Sequence, residues 1–180
     1  GNAIGKIGTT TGEIAFNTGM TGYQEVFTDP SYFGQIVVMT MDHIGNYGAA
    51  SKDAESDSIK ISGLVCKNYS PMHSRTMADS SLNDYFIEHG FTGISDVDTR
   101  QIVKHIRDAG AMNAIISSEI LDVEELKRML NKVPSMEGLE LSSKVWSTET
   151  YEVNEGGSKK VALLDLGSKK NIIECPTERG

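Results

Sequence analysis

Residues 16–32 read FNTGMTGYQEVFTDPSY, and this stretch decides the fold prediction. Gly19 and Gly22 favour backbone turns, since glycine adopts positive φ without a steric penalty. The segment 28–31 (TDPS) is typical of a tight turn. The apolar run 36–39 (IVVM) that follows is typical of a buried strand. The stretch therefore predicts short strands joined by tight turns that depend on glycine and proline.

The composition is that of an ordinary globular protein of 180 residues, with 38% hydrophobic and 23% charged residues. Its net charge of -8 argues against non-specific nucleic-acid binding, which requires clustered Lys and Arg. No apolar run approaches the ~20 residues that span a bilayer, and the start shows no secretory signal. Cys66 and Cys175 have no metal-binding spacing. We expect a reduced, cytoplasmic protein without a membrane or nucleic-acid partner.

Periodicity and turn signals predict the elements. Apolar runs bounded by turn residues predict buried strands at 14–16, 36–41, 63–66 and 114–116. Short polar residues ahead of helical patterns predict N-caps at Ser81, Asp98 and Asp122. In the helix predicted over 99–109, Ile102, Val103 and Ile106 form the buried stripe. The polar segment 51–60 predicts a solvated loop.

The last third of the chain changes character. Residues 147–160 lose the apolar period and include Gly156 and Gly157, which predicts an interdomain linker. The run 161–167 (VALLDLG) predicts a strand buried on both faces of a parallel sheet. A helix is predicted over 171–179, short or kinked because Pro176 removes a hydrogen bond. Since the chain lacks an initiator Met and ends as this helix finishes, we expect a fragment of a longer protein.

The residue types that most often carry catalysis or bind metal form no constellation. The glycine spacing at 19–22 matches no dinucleotide fingerprint, so no nucleotide site is predicted. Cys175 lies in a predicted helix with no adjacent glycine, and Cys66 lies in a predicted strand, so neither is predicted to be a nucleophile. Zinc needs converging ligands, which no spacing supplies around His43, His73, His89 and His105. No catalytic residue and no metal site are predicted.

The segment Asp29-Pro30-Ser31-Tyr32 is the strongest candidate for a functional site. In a tight turn, Pro30 presets φ, and Asp29 accepts a hydrogen bond from the backbone two residues along. That explanation leaves the identities of Ser31 and Tyr32 unaccounted for. A second motif, residues 98–100 (DTR), is open to two interpretations: a helix cap with a solvated arginine, or a contact with a partner.

Residues 16–32 resemble, nearly residue for residue, the signature of the small, glutamine-handling subunit of carbamoyl-phosphate synthase. Later blocks carry the resemblance on in family order, from about residue 5 to residue 180. They are 44–48 (IGNYG), 93–100 (GISDVDTR), 107–112 (RDAGAM) and 161–167 (VALLDLG), the last with 170–172 (KNI).

The resemblance implies a mixed α/β fold with two domains. Residues 1–150 would form the β/β/α layered N-terminal domain, and residues 151–160 a linker. Residues 161–180 would be the first strand and helix of a truncated α/β domain, a class I glutaminase. The family's Cys-His-Glu triad belongs to sequence absent here, so the resemblance implies no catalytic residue and no glutamine hydrolysis by this chain alone.

The resemblance also implies a substrate contact and a partner. In the family the serine of the turn motif contacts bound L-glutamine, and that residue is Ser31 here. A hydroxyl suits this task because it both donates and accepts hydrogen bonds. The implied partner is the large synthetase subunit, which takes up ammonia and uses ATP, with Mg²⁺, and bicarbonate to make carbamoyl phosphate for arginine and pyrimidine synthesis. This chain is expected to hold no cofactor.

Two alternatives remain open. The chain would be a non-catalytic module that docks the large subunit, or part of a fused, multifunctional pyrimidine-synthesis enzyme.

Overall fold

The computed structural model describes residues 1–153 and 156–179. These residues form strands β1 (Asn2–Gly5), β2 (Thr9–Asn17), β3 (Ile36–Met39), β4 (His43–Ile44), β5 (Gly63–Val65), β6 (Asn68–Tyr69), β7 (Thr92–Ser95) and β8 (Asn113–Ser117). They also form helices α1 (Tyr23–Thr28), α2 (Leu82–Glu88), α3 (Thr99–Ala109), α4 (Val123–Leu130) and α5 (Lys170–Arg179).

Six of the strands make one mixed sheet in the order β1-β7-β5-β3-β2-β8. The four central strands, β7, β5, β3 and β2, run parallel, whereas β1 and β8 pair antiparallel at the two edges. β4 and β6 form a separate parallel pair. The four strands predicted from the sequence are confirmed, except that β3 ends at Met39 rather than Met41 and β5 ends at Val65 rather than Cys66.

The predicted helix starts are also confirmed. The side chains of Ser81, Asp98 and Asp122 each accept a hydrogen bond from a backbone N–H in the first turn of α2, α3 and α4. Such caps satisfy donors that have no partner within the helix. The helix predicted near the end is present as α5, which continues through Pro176. None of the described helices combines the length and the hydrophobicity that a membrane-spanning helix requires.

The sheet is buried on both faces, as β3 shows. Val37 and Met39 pack into one core cluster, whereas Ile36 and Val38 pack into a second one. This division follows the alternation of side chains along a strand. The first cluster holds the buried aromatic and aliphatic side chains of α1 and α2, and the second receives the apolar side chains of α3. The predicted layered, mixed α/β fold class is confirmed.

The strand predicted at 161–167 is wrong. The segment has no strand conformation, and the side chains of Val161 and Leu164 are 83% and 81% exposed. A strand buried on both faces needs hydrogen-bonding neighbours, since its backbone groups are removed from water. The described sheet ends at β1 and β8, and neither pairs with this segment. Without a neighbouring strand, this apolar run stays largely exposed.

The segment 51–60 is a loop, as predicted, but most of it is half-buried rather than solvated. Thr28 at the end of α1 fixes it, because Thr28 Oγ1 accepts a hydrogen bond from Glu55 N at 2.8 Å. The carbonyl of Thr28 accepts a second hydrogen bond from Ser56 Oγ at 2.6 Å. In the predicted linker, residues 154–155 lie outside the described residues, and the domain boundaries stay a prediction.

Candidate functional site

The turn at 29–32 presents Ser31 at the surface. Asp29 Oδ1 accepts a hydrogen bond from Ser31 N at 2.9 Å, which confirms the predicted contact two residues along. Pro30 begins a single 3-10 turn in which Tyr32 N donates to Asp29 O at 3.0 Å. Asp29 and Pro30 are buried, whereas Ser31 is exposed. The Ser31 hydroxyl has no hydrogen-bond partner among the described residues, so it is free to bind a ligand.

Tyr32 joins this turn to the glycine loop that precedes α1. Its hydroxyl accepts a hydrogen bond from Asn17 Nδ2 at 3.0 Å, and Asn17 Oδ1 accepts one from Gly19 N at 2.7 Å. Gly22 has a φ of 79°, the left-handed conformation predicted for this loop, whereas Gly19 has no positive φ. Tyr32 therefore has a structural role, because its hydroxyl links the turn to the loop before α1. This role accounts for the tyrosine at position 32, which the tight turn alone did not explain.

The beginning of α5 packs against the same turn. Lys169 Nζ lies 2.8 Å from Asp29 Oδ2, an oxygen on the carboxylate that also caps the turn. Glu55 accepts hydrogen bonds from the backbone N–H groups of residues 170–171, at 2.8 Å and 3.1 Å. Ser31 therefore lies beside the junction between the last part of the chain and the sheet-bearing part. Nothing in the sequence pointed to Lys169 beyond its membership in a basic pair with Lys170.

Asp165 shapes the backbone that carries Lys169. Its carboxylate accepts hydrogen bonds from the N–H groups of Ser147, Gly167 and Ser168, at 2.7, 2.9 and 2.7 Å. Partial burial acts to raise the pKa of Asp165, but the backbone donors outweigh it and hold the pKa below its ordinary value. The charged carboxylate thus fixes the turn ahead of α5.

Replacing Lys169 with methionine is expected to lower the free energy of unfolding by about 1 kcal/mol, because it leaves the buried Asp29 carboxylate without its cation. Lys170→Met is the matched control, since Lys170 contacts Glu174 on an exposed surface of α5. Urea unfolding at neutral pH compares the two variants. Equal losses would show that the Asp29 contact adds nothing beyond a surface ion pair.

The same contact gives a pH dependence. The hydrogen bond to Asp29 raises the pKa of Lys169 above its ordinary value. Its stabilisation is therefore fully present below the unfolded lysine pKa of about 10.4, and it is lost as the pH rises through the higher folded value. The difference in unfolding free energy between wild type and Lys169→Met should shrink over that alkaline range.

Side chains that often act as nucleophiles or metal ligands lie apart. Cys66 is fully buried, and burial raises the pKa of its thiol to about 12, so the thiol is protonated at neutral pH. Cys175 Sγ donates to Asn171 Oδ1 at 3.2 Å within α5. The four histidines are exposed. Within residues 1–153 and 156–179, no group of three or more His, Cys, Asp and Glu side chains is placed to hold a metal ion.

Ser31 lines neither of two shallow surface grooves formed by the described residues. One, of about 440 Å³, lies between the loop at 49–57 and α2. The other, of about 770 Å³, is bounded by Thr18, Thr40, Lys67, Asp96 and the face of α3, and we call it the carboxyl-edge groove. Sequence reasoning missed it because only the sheet order brings these strand ends together. Ser31 lies on open surface, outside both grooves.

Comparison with known proteins decides the family. The family model described as "Carbamoyl-phosphate synthase small chain, CPSase domain" matches residues 1–116. The chain belongs to the carbamoyl-phosphate synthase small chain family. The carbamoyl phosphate synthase small chain of Synechococcus sp. is 46% identical and aligns with 96% of this chain and 48% of its own length. Those of Syntrophotalea carbinolica and Chlorobaculum tepidum are 42% and 44% identical, over 96% of this chain and 50% and 48% of their own lengths.

Membership in the carbamoyl-phosphate synthase small chain family confirms the resemblance read from residues 16–32. The turn at 29–32 and the motif at 98–100 both lie within the matched residues. The chain spans about half the length of the curated relatives it matches. The role of Ser31 stays a prediction.

Proposed function

We propose that this chain is the N-terminal part of the small subunit of a glutamine-dependent carbamoyl-phosphate synthase. The observation that carries the proposal is the alignment of 96% of the chain with small chains at 42–46% identity. The complete subunit would hydrolyse L-glutamine and deliver the ammonia to a large synthetase subunit. ATP and Mg²⁺ would be bound by that large subunit. The product, carbamoyl phosphate, would serve arginine and pyrimidine synthesis in the cytoplasm.

In this proposal Ser31 contacts L-glutamine from outside the glutaminase domain. Three observations support it: the hydroxyl is exposed, it has no partner among the described residues, and its backbone is held by Asp29. The ion pair of Asp29 with Lys169 keeps the turn next to the segment that leads into the rest of the subunit. The hydrolytic step would be carried out by residues of the subunit beyond those described.

The proposed function predicts that synthesis from glutamine requires the small subunit, whereas synthesis from ammonia does not. With the full-length small subunit and the large subunit combined, carbamoyl phosphate should form from glutamine and from ammonia. With the large subunit alone, only ammonia should support synthesis. The assay measures carbamoyl phosphate with each donor, with and without the small subunit.

The isolated chain is the matching control and should release no glutamate from glutamine. An unactivated thiol with a pKa near ~8.5 or above is mostly protonated at neutral pH. Glutamate release that disappears in Cys66→Ser or Cys175→Ser would contradict this part of the proposal. Glutamine-dependent synthesis that is unchanged without the small subunit would contradict the proposal as a whole.

A further inference from the structure

The carboxyl-edge groove lies where four parallel strands end. Thr18, Thr40 and Asp96 directly follow β2, β3 and β7, and Lys67 comes two residues after β5. Helix α3 forms the facing wall. The carboxyl ends of parallel strands are the usual binding edge of open α/β sheets, because the connecting loops diverge there and leave a crevice.

The wall formed by α3 carries a stripe of cations. Arg100, Lys104 and Arg107 are separated by four and three positions, so they lie on one side of the helix. All three are exposed, and none forms an ion pair with another described residue. We call Arg100, Lys104 and Arg107 the α3 basic stripe.

Helix stability accounts only for Arg107, which lies in the last turn of α3, where the helix dipole favours a positive charge. Like charges four and three residues apart repel each other along a helix. Arg100 also lies in the first turn of α3, where the helix dipole disfavours a positive charge. The nearby carboxylate of Asp98 is already used as the N-cap, accepting from Gln101 N at 3.0 Å. The burial of α3 comes from its other side, which packs into the second core cluster.

The groove is lined by charges of both signs. Besides the α3 basic stripe, Lys67 is paired with Asp42 at 3.3 Å, and Asp96 and Asp98 add further carboxylates. A small anion filling the groove would lie against these carboxylates as well as the cations. The surface of a partner protein, by contrast, can place acidic groups against the α3 basic stripe and non-acidic groups against Asp96. Such a surface is complementary to charges of both signs.

We infer that the α3 basic stripe docks an acidic surface of the large synthetase subunit. The inference rests on the proposed function, which gives this chain that partner. Opposite charges on the two surfaces accelerate the encounter and fix the orientation of the partner. The stripe is a local concentration of positive charge in a chain whose net charge is -8.

The test uses the full-length small subunit with Arg100→Gln, Lys104→Gln and Arg107→Gln combined. Binding kinetics to the immobilised large subunit are measured at about 0.05 M and about 0.3 M salt. The variant should associate about 10-fold more slowly than wild type at low salt, and its association rate should depend less on salt. The substituted side chains are exposed, so the melting curve should stay close to that of wild type.

A second triple variant, Lys127→Gln with Arg128→Gln and Lys132→Gln, removes the same charge from the exposed surface of α4 and the residues after it. It should associate within about 2-fold of wild type, which separates a local effect from the change in net charge. Equal slowing of the two variants would overturn the inference, and so would no slowing in either.

Two further outcomes are distinguishable. If wild-type small and large subunits do not bind each other at all, the proposed partner itself is wrong, and the docking surface with it. If the α3 variant loses binding of inorganic pyrophosphate in calorimetry while subunit association is unchanged, the groove is a small-anion site and the docking inference is overturned.

Discussion

Replacing Ser31 with alanine in the full-length small subunit is expected to raise the glutamine KM by about 10-fold or more. A hydrogen bond to a charged group contributes about 1.5–3 kcal/mol, and the α-ammonium and α-carboxylate of glutamine are such groups. The effect should fall on KM rather than on kcat, because a hydroxyl in this position holds the substrate without taking part in acyl transfer. Steady-state kinetics of the assembled synthase measure both.

Ammonia-dependent synthesis gives the internal control for Ser31→Ala, since that route bypasses the glutamine site and should stay near wild type. Ser31→Thr keeps the hydroxyl at an exposed position and should recover most of the glutamine affinity. If Ser31 only supported the turn, alanine would lower the melting temperature and leave KM unchanged. The structure makes that outcome unexpected, because Asp29 bonds the backbone of Ser31 and not its hydroxyl.

The sequence predicted the parts of the fold that depend on local chemistry. Ser81, Asp98 and Asp122 are short polar residues directly ahead of helical patterns, and each one caps its helix. The turn at Asp29 was predicted in the same way, since an Asp before Pro bonds its own backbone. Family membership could likewise be predicted from local sequence, because the identities of residues 16–32 indicated it.

What the sequence did not predict depends on distant neighbours. Helix α1 is only six residues long and includes Tyr, Val, Phe and Thr, which favour strands, so no local signal marks it. The run at 161–167 has a strand composition, but it lacks a neighbouring strand among the described residues. Lys169 meets Asp29 across 140 positions of sequence, and no spacing rule relates the two.

Helix α1 is stabilised by two aromatic residues that lie on the same, buried face of the helix. Tyr23 and Phe27 are four positions apart, and both are fully buried. Their rings stack with centroids 5.7 Å apart, and the ring of Phe27 also contacts that of Phe86 in α2 at 5.6 Å. Tertiary burial thus overrides the weak helix propensity of this segment.

Replacing Phe27 with alanine is expected to lower the free energy of unfolding by about 3–5 kcal/mol, the range for removing a buried Phe and leaving a cavity. A domain of this kind is stable by about 5–15 kcal/mol, so the variant would be close to unfolding. Urea denaturation monitored by circular dichroism measures the loss. Phe33→Ala is the matched control, because Phe33 is only half-buried and belongs to neither core cluster.

Replacing Phe27 with alanine should also loosen the backbone of the candidate site. The Phe27 carbonyl accepts a hydrogen bond from Lys60 N at 2.8 Å, and Thr28 Oγ1 accepts one from Glu55 N. Glu55 in turn accepts hydrogen bonds from the backbone N–H groups at the start of α5. Amide exchange at 55–60 and 170–171 should therefore accelerate in Phe27→Ala and stay slow in Phe33→Ala. Unchanged exchange in a destabilised Phe27→Ala variant would mean that α1 supports the core without holding the junction beside Ser31.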